Sequence, residues 1–313
     1  MRWEERQWIG EILGDRVLER RMLAGGYSHE TWLFVLSERS VVVRMGMGEH
    51  GIEAAVMAAA GRHVPVPGVI AVTAATADQP HSMMLLDYVA GTPLDRVLTD
   101  ESLSHRDFHA LGEEVGRVAA GISAVRFDRP GFFDDSELTL SDKPPWSQQL
   151  PVFAERCMTA TPDERLELSE RAEWAELCAT HAPVLSAVDD QARLVHSDMN
   201  PKNLLVSRIS TGWRVDAVLD WEFSYSGCPY ADAANMVRFG GDYPQPFLRG
   251  FVAAFADHLP EDLGAPAEFG YLGRVLDMFA LSDLVTRAPG HPVADRAARQ
   301  IRQWLADGVP VSL

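Results

Sequence analysis

Residues 194–224 read "LVHSDMNPKNLLVSRISTGWRVDAVLDWEFS", and the spacing of their polar residues governs how the rest of the chain is read. The apolar pair Leu194-Val195 enters a polar loop that holds His196, Asp198 and Asn203. Thr211-Gly212 marks a turn between two strand-like runs, and the second run ends at Asp220. A loop of the form H-x-D-x-x-x-x-N, a hairpin and a closing Asp together supply what phosphoryl transfer requires. One carboxylate can orient an attacking hydroxyl and take its proton. An amide oxygen and a second carboxylate can hold Mg2+ against phosphates. Ordinary caps and turns also make polar loops, but they do not call for these residue types at this spacing.

Working outward, the first third reads as a sheet with one helix. The stretch "RMLAGGYSHETWLFVLSERSVVVRM" predicts three strands, with a glycine turn at Gly25-Gly26 and apolar runs at 31–36 and 40–45. A helix is predicted over 52–60, broken before Pro65 and Pro67, and further strands over 69–73 and 82–88. "VAGTPLDRVL" reads as a linker entering a helix. Beyond about residue 95 the pattern turns helical. Ser104 is the expected N-cap of a helix running to about Val125, in which Phe108, Leu111, Val115 and Val118 recur at helical spacing. Residues 128–146 read as a loop, helices follow over 147–160 and 163–188, short strands lie within 193–223, and the remainder is helical.

Bulk properties exclude several classes of function. With 47% hydrophobic and 23% charged residues the composition is that of a soluble globular protein. No apolar run approaches the roughly 18 residues of a membrane span. The opening "MRWEERQWIGEILG" has no apolar signal region, so a cytoplasmic protein with no membrane partner is expected. A formal charge of −17 leaves no basic stripe to displace counterions from nucleic acid. Cys157, Cys178 and Cys228 are scattered and suggest neither disulfides nor a thiolate metal site. His105 and His109 are four apart, but Arg106 stands where a zinc-protease helix needs Glu.

One motif points elsewhere. "SVVVRMGMGEHGIEAAVMAAAG", residues 40–61, places Gly46, Gly48 and Gly51 in G-x-G-x-x-G spacing between a strand and a helix, as in a dinucleotide fold. That fold needs the glycines after the first strand of a βαβ unit and an acid roughly 20 residues on. Here other strands precede them, and Asp78 comes too late. The dinucleotide reading would also leave Arg44, Glu53 and the whole 196–220 pattern without a purpose.

The chain resembles the aminoglycoside phosphotransferase and choline kinase family, whose fold is that of the protein kinases. The resemblance covers most of the sequence: "LAGGYSHETWLFVL", "SVVVRM", "MMLLDYVAGTPLDRVL", "LVHSDMNPKNLLV" and "LDWEFSYSGCPYADAANM" are similar to its phosphate loop, strand, hinge, catalytic loop and metal loop. It implies a two-lobed α+β fold. Residues 1–90 would form a small antiparallel-sheet lobe with one helix that binds nucleotide, and 91–313 a large, mainly helical lobe for catalysis and substrate.

Carried over position by position, the resemblance makes Asp198 the catalytic base and Asn203 and Asp220 the Mg2+ ligands. His196 would support the loop through its backbone or through the metal Asp, and Asp232 would tie the next helix to it. Glu222 would hold the loop or face substrate. Gly25, Gly26 and Ser28 would bring backbone N–H groups to the ATP phosphates, although His29 departs from the family's small polar residue. No lysine precedes Lys143, so Arg44 takes the cation's place, paired with Glu53 nine positions on. Asp87 to Val89 would offer hinge backbone to adenine; Lys202 would face either solvent or phosphate.

The expected function is an ATP-dependent small-molecule kinase acting on a hydroxyl acceptor. The preferred acceptor is an antibiotic (an aminoglycoside, a nucleoside antibiotic or a macrolide), with resistance or self-protection as the role. A primary-metabolite kinase for choline, a sugar or homoserine is the alternative. An inactive nucleotide-binding pseudokinase would typically have lost the base or a ligand, and all three residues are present here.

Overall fold

Strand β5 (Ser82–Asp87) shows why the N-terminal sheet forms as it does. Its run Met83-Met84-Leu85-Leu86 is apolar at successive positions, and period-two geometry sends alternate side chains to opposite faces. Met83 and Leu85 join Phe34, Val41 and Val43 in one core. Met84 and Leu86 turn to the other face, where they join Val56, Met57 and Ala60 of helix α1 (His50–Ala60) in the main core. Around β5 the sheet is completed by β1 (Glu19–Met22), β2 (Glu30–Val35), β3 (Ser40–Gly46) and β4 (Val69–Thr73). Their order is β1-β2-β3-β5-β4, and every pair is antiparallel.

The computed structural model describes residues 12–23, 30–46, 50–74, 82–263, 266 and 268–313. Gly25, Gly26, Ser28 and His29 of the expected phosphate loop lie outside the described residues, as does Gly48. Gly46 ends β3 and Gly51 falls in the first turn of α1. Among the described residues this sheet has no parallel strand pair, and so no switch point for a dinucleotide.

The chain leaves the sheet at residues 88–91 and enters the helical part. A Cβ on Gly91 would sit 2.9 Å from Leu205 Cβ, so the crossing runs close over a second sheet. There β6 (Thr92–Pro93) pairs with β9 (Leu204–Ile209), which pairs with β10 (Gly212–Val218), the hairpin expected around Thr211-Gly212. A short helix, α2 (Leu94–Val97), follows β6. Helix α3 (His105–Ile122) starts at Ser104 with a full capping box, Ser104 and Asp107 each accepting the other's backbone N–H. The later helices are α4 (Trp146–Ala160), α5 (Leu168–His181), α6 (Tyr230–Val237), α7 (Gln245–His258), α8 (Phe269–Leu284) and α9 (Pro292–Asp307).

Two expectations change in detail. The helix expected over 163–188 is α5 followed by a 3-10 turn, Ala182–Ala187, with Pro183 in its first turn. The stretch expected as loop contains β7 (Gly131–Phe132), which pairs with β11 (Tyr225–Gly227); β11 in turn pairs with β8 (Arg193–Val195). Strands this short carry no periodicity and exist because distant segments meet. Among the described residues no helix is long and apolar enough to cross a membrane.

Helices α3 and α7 touch backbone to backbone. A Cβ at Gly112 would overlap the Phe247 carbonyl oxygen, and one at Gly116 the Phe251 carbonyl oxygen. Alanine normally favours a helix interior by about 1 kcal/mol over glycine. Here Gly112→Ala should instead destabilise by about 1–3 kcal/mol, because the helices must separate. Urea unfolding checks this; a stabilised Gly112→Ala protein would mean the contact is looser than described.

Candidate active site

The loop of residues 196–203 leaves β8 through a strained backbone. Ser197 has φ +69°, a left-handed conformation that non-glycine residues seldom adopt. It is held there by Asp232 on α6, whose carboxylate accepts the His196 N–H at 2.9 Å and the Ser197 N–H at 2.8 Å. Burial raises the Asp232 carboxyl to about 6, against the pull of those two donors. His196 supports the loop through backbone. The Asp198 N–H donates to its Nδ1 at 3.2 Å, which leaves Nε2–H to donate to the Leu219 carbonyl at 2.9 Å. Its ring packs on Trp221 at 4.6 Å between centroids. One imidazole thus ties the loop of Asp198 to the strand end next to Asp220.

Asp198 is gripped at both carboxylate oxygens. Asn200 Nδ2 donates to Oδ1 at 3.0 Å, and Asn203 Nδ2 donates to Oδ2 at 2.8 Å. Burial pushes this carboxyl above its ordinary range and the charge of Asp220 adds to that, while the Asn203 amide opposes it. The Leu219 N–H donates to the Asn203 carbonyl at 2.8 Å, which sets Asn203 beside Asp220. Asp220 also has a left-handed backbone, φ +67°.

Arg44 and Glu53 close the site from the sheet side. Arg44 donates from Nη1 to Glu53 Oε1 and from Nη2 to Asp220 Oδ1, the latter at 2.7 Å. Glu53 Oε1 also accepts the Trp221 N–H at 3.2 Å, and His50 Nδ1 lies 3.7 Å from Oε2. At 9% and 4% exposure, Arg44 and Glu53 are an internal pair rather than surface decoration. Burial disfavours charge on Arg44, but Glu53 and Asp220 outweigh it and raise its pKa. Burial likewise opposes ionisation of Glu53, and His50, Arg44 and the Trp221 N–H together hold its carboxyl below the ordinary range.

Removing one partner of such a pair strands the other charge, a loss of about 3–5 kcal/mol for a buried pair. Arg44→Ala should therefore lower stability as well as raise the KM for ATP and slow turnover. Arg44→Lys should recover part of each, since lysine restores the charge without the fork. Steady-state kinetics with thermal melts test this; an Arg44→Ala protein that matches the parent in both would detach Arg44 from the site.

The other expected positions are more peripheral. The Asp87 N–H is taken by the Gly68 carbonyl and the Tyr88 N–H approaches the Ser40 carbonyl at 3.4 Å. The Asp87 side chain is exposed near Arg39. Adenine recognition would then fall to the remaining hinge groups, those of Val89 among them. Lys202 is exposed. Glu222 lies near enough for its charge to act on Arg44. All three cysteines are buried, and burial pushes each thiol up, Cys157 to about 11 and Cys178 to about 12, which disfavours a thiolate at any of them. The sequence reading missed Asn200, although the Asn-Pro step was a visible turn signal. It also missed the buried Arg238–Asp277 pair, whose guanidinium adds positive charge near Asp198.

A model of the phosphotransferase enzyme family matches residues 19–269. No curated protein sequence matches the chain. Among solved structures, it is similar to a thermostable mutant of aminoglycoside phosphotransferase APH(4)-Ia in ternary complex with ADP and hygromycin B. That similarity has a TM-score of 0.71 at 18% identity and covers 97% of this chain and 99% of that one. It is also similar to a microcompartment-associated aminopropanol kinase, with a TM-score of 0.59 at 22% identity and 94% of both chains covered. At such identities the likeness is one of fold.

Proposed function

The chain belongs to the phosphotransferase enzyme family and is a small-molecule kinase, and from that premise we propose that it transfers the γ-phosphate of ATP to a hydroxyl of an antibiotic. An aminoglycoside, a nucleoside antibiotic or a macrolide would serve, with resistance or self-protection as the role and the cytoplasm as the place. The observation that carries the reading is the run of contacts from Glu53 through Arg44 to Asp220, with Asn203 and the doubly held Asp198 alongside. The likeness to an enzyme crystallised with hygromycin B favours an antibiotic acceptor. The likeness to an aminopropanol kinase supports a second reading, a primary-metabolite kinase built on the same site.

In this reading 1–90 is the nucleotide lobe and 91–313 the catalytic and substrate lobe. Asp198 accepts the proton of the acceptor hydroxyl as its oxygen attacks. Asn203 and Asp220 fit Mg2+, which takes few protein oxygens and completes its shell with water and phosphates. Bound there, Mg2+ would neutralise developing charge on the phosphates. Arg44 would grip the phosphates while Glu53 keeps its fork in place, and Gly25, Gly26 and Ser28 would cover them. A panel of antibiotic and metabolite alcohols assayed for acceptor-dependent ADP release tests the proposal. Release with metabolite alcohols alone would select the second reading; release with no acceptor in a broad panel would count against both.

A further inference from the structure

Asn200 is held by three contacts. Its Oδ1 accepts the Lys202 N–H at 3.0 Å, which makes it the N-cap of the 3-10 turn Pro201–Asn203. Its Nδ2 donates to the Asp198 carbonyl at 3.1 Å and to the Asp198 carboxylate Oδ1 at 3.0 Å. These contacts also decide which way the amide faces. Turning it over would set NH2 against the Lys202 N–H and a carbonyl oxygen against a carboxylate, losing every bond at once. Pro201 contributes as well. A residue before proline is pushed into extended backbone, and Asn200 sits there with φ −144° and ψ 162°. Backbone, cap and amide direction are therefore settled before any ligand arrives.

The second torsion of an aspartate is soft. With Asn203 alone on Oδ2, the Asp198 carboxylate could pivot about that bond, and Asn203 is itself needed at the proposed metal site. The amide on Oδ1 removes the freedom. Resting on the proposed function, we infer that Asn200 is a positioning residue: it fixes the plane of the Asp198 carboxylate so that the base meets the acceptor hydroxyl in one orientation. It acts through Asp198, the group its amide holds. A misplacement of about 1 Å in a reacting group can slow a reaction roughly 10²-fold, so a loosened base is a substantial loss.

A simple cap would leave the same fingerprint at Lys202, so the test must separate the two roles. Serine and aspartate both serve as N-caps nearly as well as asparagine. Asn200→Ser keeps a cap oxygen but is too short to hold the carboxylate as the amide does. Asn200→Asp keeps the length and the cap oxygen but turns an acceptor toward Asp198. Asn200→Ser should melt slightly below the parent, since one carboxylate oxygen loses its donor. Asn200→Asp should melt lower still, since it sets a second carboxylate against Asp198. Both should keep the KM for ATP within about twofold, while kcat falls on the order of 10²-fold. In an Asp198→Asn background the same Asn200→Ser change should leave the residual rate unmoved, because a residue acting through the base has nothing left to act on. If Asp198→Asn is slow and Asn200→Ser slows it further by its full factor, the inference fails and the proposed function stands. If Asp198→Asn turns over like the parent, the base assignment falls and takes this inference with it. Unchanged kcat in both Asn200 variants would reduce the residue to a cap.

Discussion

Asp198→Asn should slow phosphoryl transfer by about 10²–10⁴-fold, the contribution of a positioned general base, while ATP still binds. Folding should survive, because the loop is pinned independently. His196 joins it to Leu219, and Asp232 holds the His196 and Ser197 N–H groups. The new amide does conflict locally. Asp198 now accepts from two NH2 groups, and an asparagine can answer only one of them with oxygen. One amide loses its side-chain acceptor and keeps only the Asp198 carbonyl, a modest drop in stability of about 1–3 kcal/mol at most. Single-turnover rates and calorimetric ATP binding measure the two effects separately. A rate within a few-fold of the parent would remove Asp198 from the role.

Asp220→Asn should be at least as damaging, and its signature differs. Position 220 has a left-handed backbone, which asparagine tolerates and alanine resists, so asparagine isolates the loss of charge from backbone strain. Arg44 would keep an oxygen to bond but lose an ionic partner. A hard dication binds a carboxylate far better than an amide. If Asp220 holds the ion, transition-state stabilisation worth several kcal/mol disappears, and turnover drops on the order of 10³-fold or more. ATP affinity measured with and without Mg2+ should lose most of its metal dependence. An unchanged dependence would mean that the ion is held elsewhere, and Asn203 and Asp220 would need another explanation.

Much of this protein could be read from short-range spacing. The Ser104 capping box, the hairpin around Thr211-Gly212 and the double-faced strand β5 all follow from residues within a few positions of one another, or from one ladder. The 196–220 pattern was legible for the same reason: a loop and its hairpin are local, so the polar residues of the proposed site keep a regular distance along the chain. The Arg44–Glu53 pair was also within reach, because nine residues span one strand end and the start of one helix.

Contacts between segments far apart in the chain were not legible from spacing, and only the resemblance placed Arg44, Glu53 and Asp220 in one site. Asp220 meets Arg44 across 176 positions, and the Trp221 N–H meets Glu53 across 168. Nothing in the spacing of either segment states that these groups share a site. Strands β7 and β11 are invisible alone, since two or three residues have no period and gain their hydrogen bonds only when the loop of 131–132 lies beside 225–227. Burial is of the same kind. Asp198, Asp232 and Glu53 are ordinary acids by composition, and what separates them is desolvation set against the number of donors each one meets. Local chemistry along the chain supplied the reactive groups and their order. Their desolvation and their long-range partners come from docking the sheet onto the helical part, because both are properties of the packed interior and belong to no single stretch of sequence.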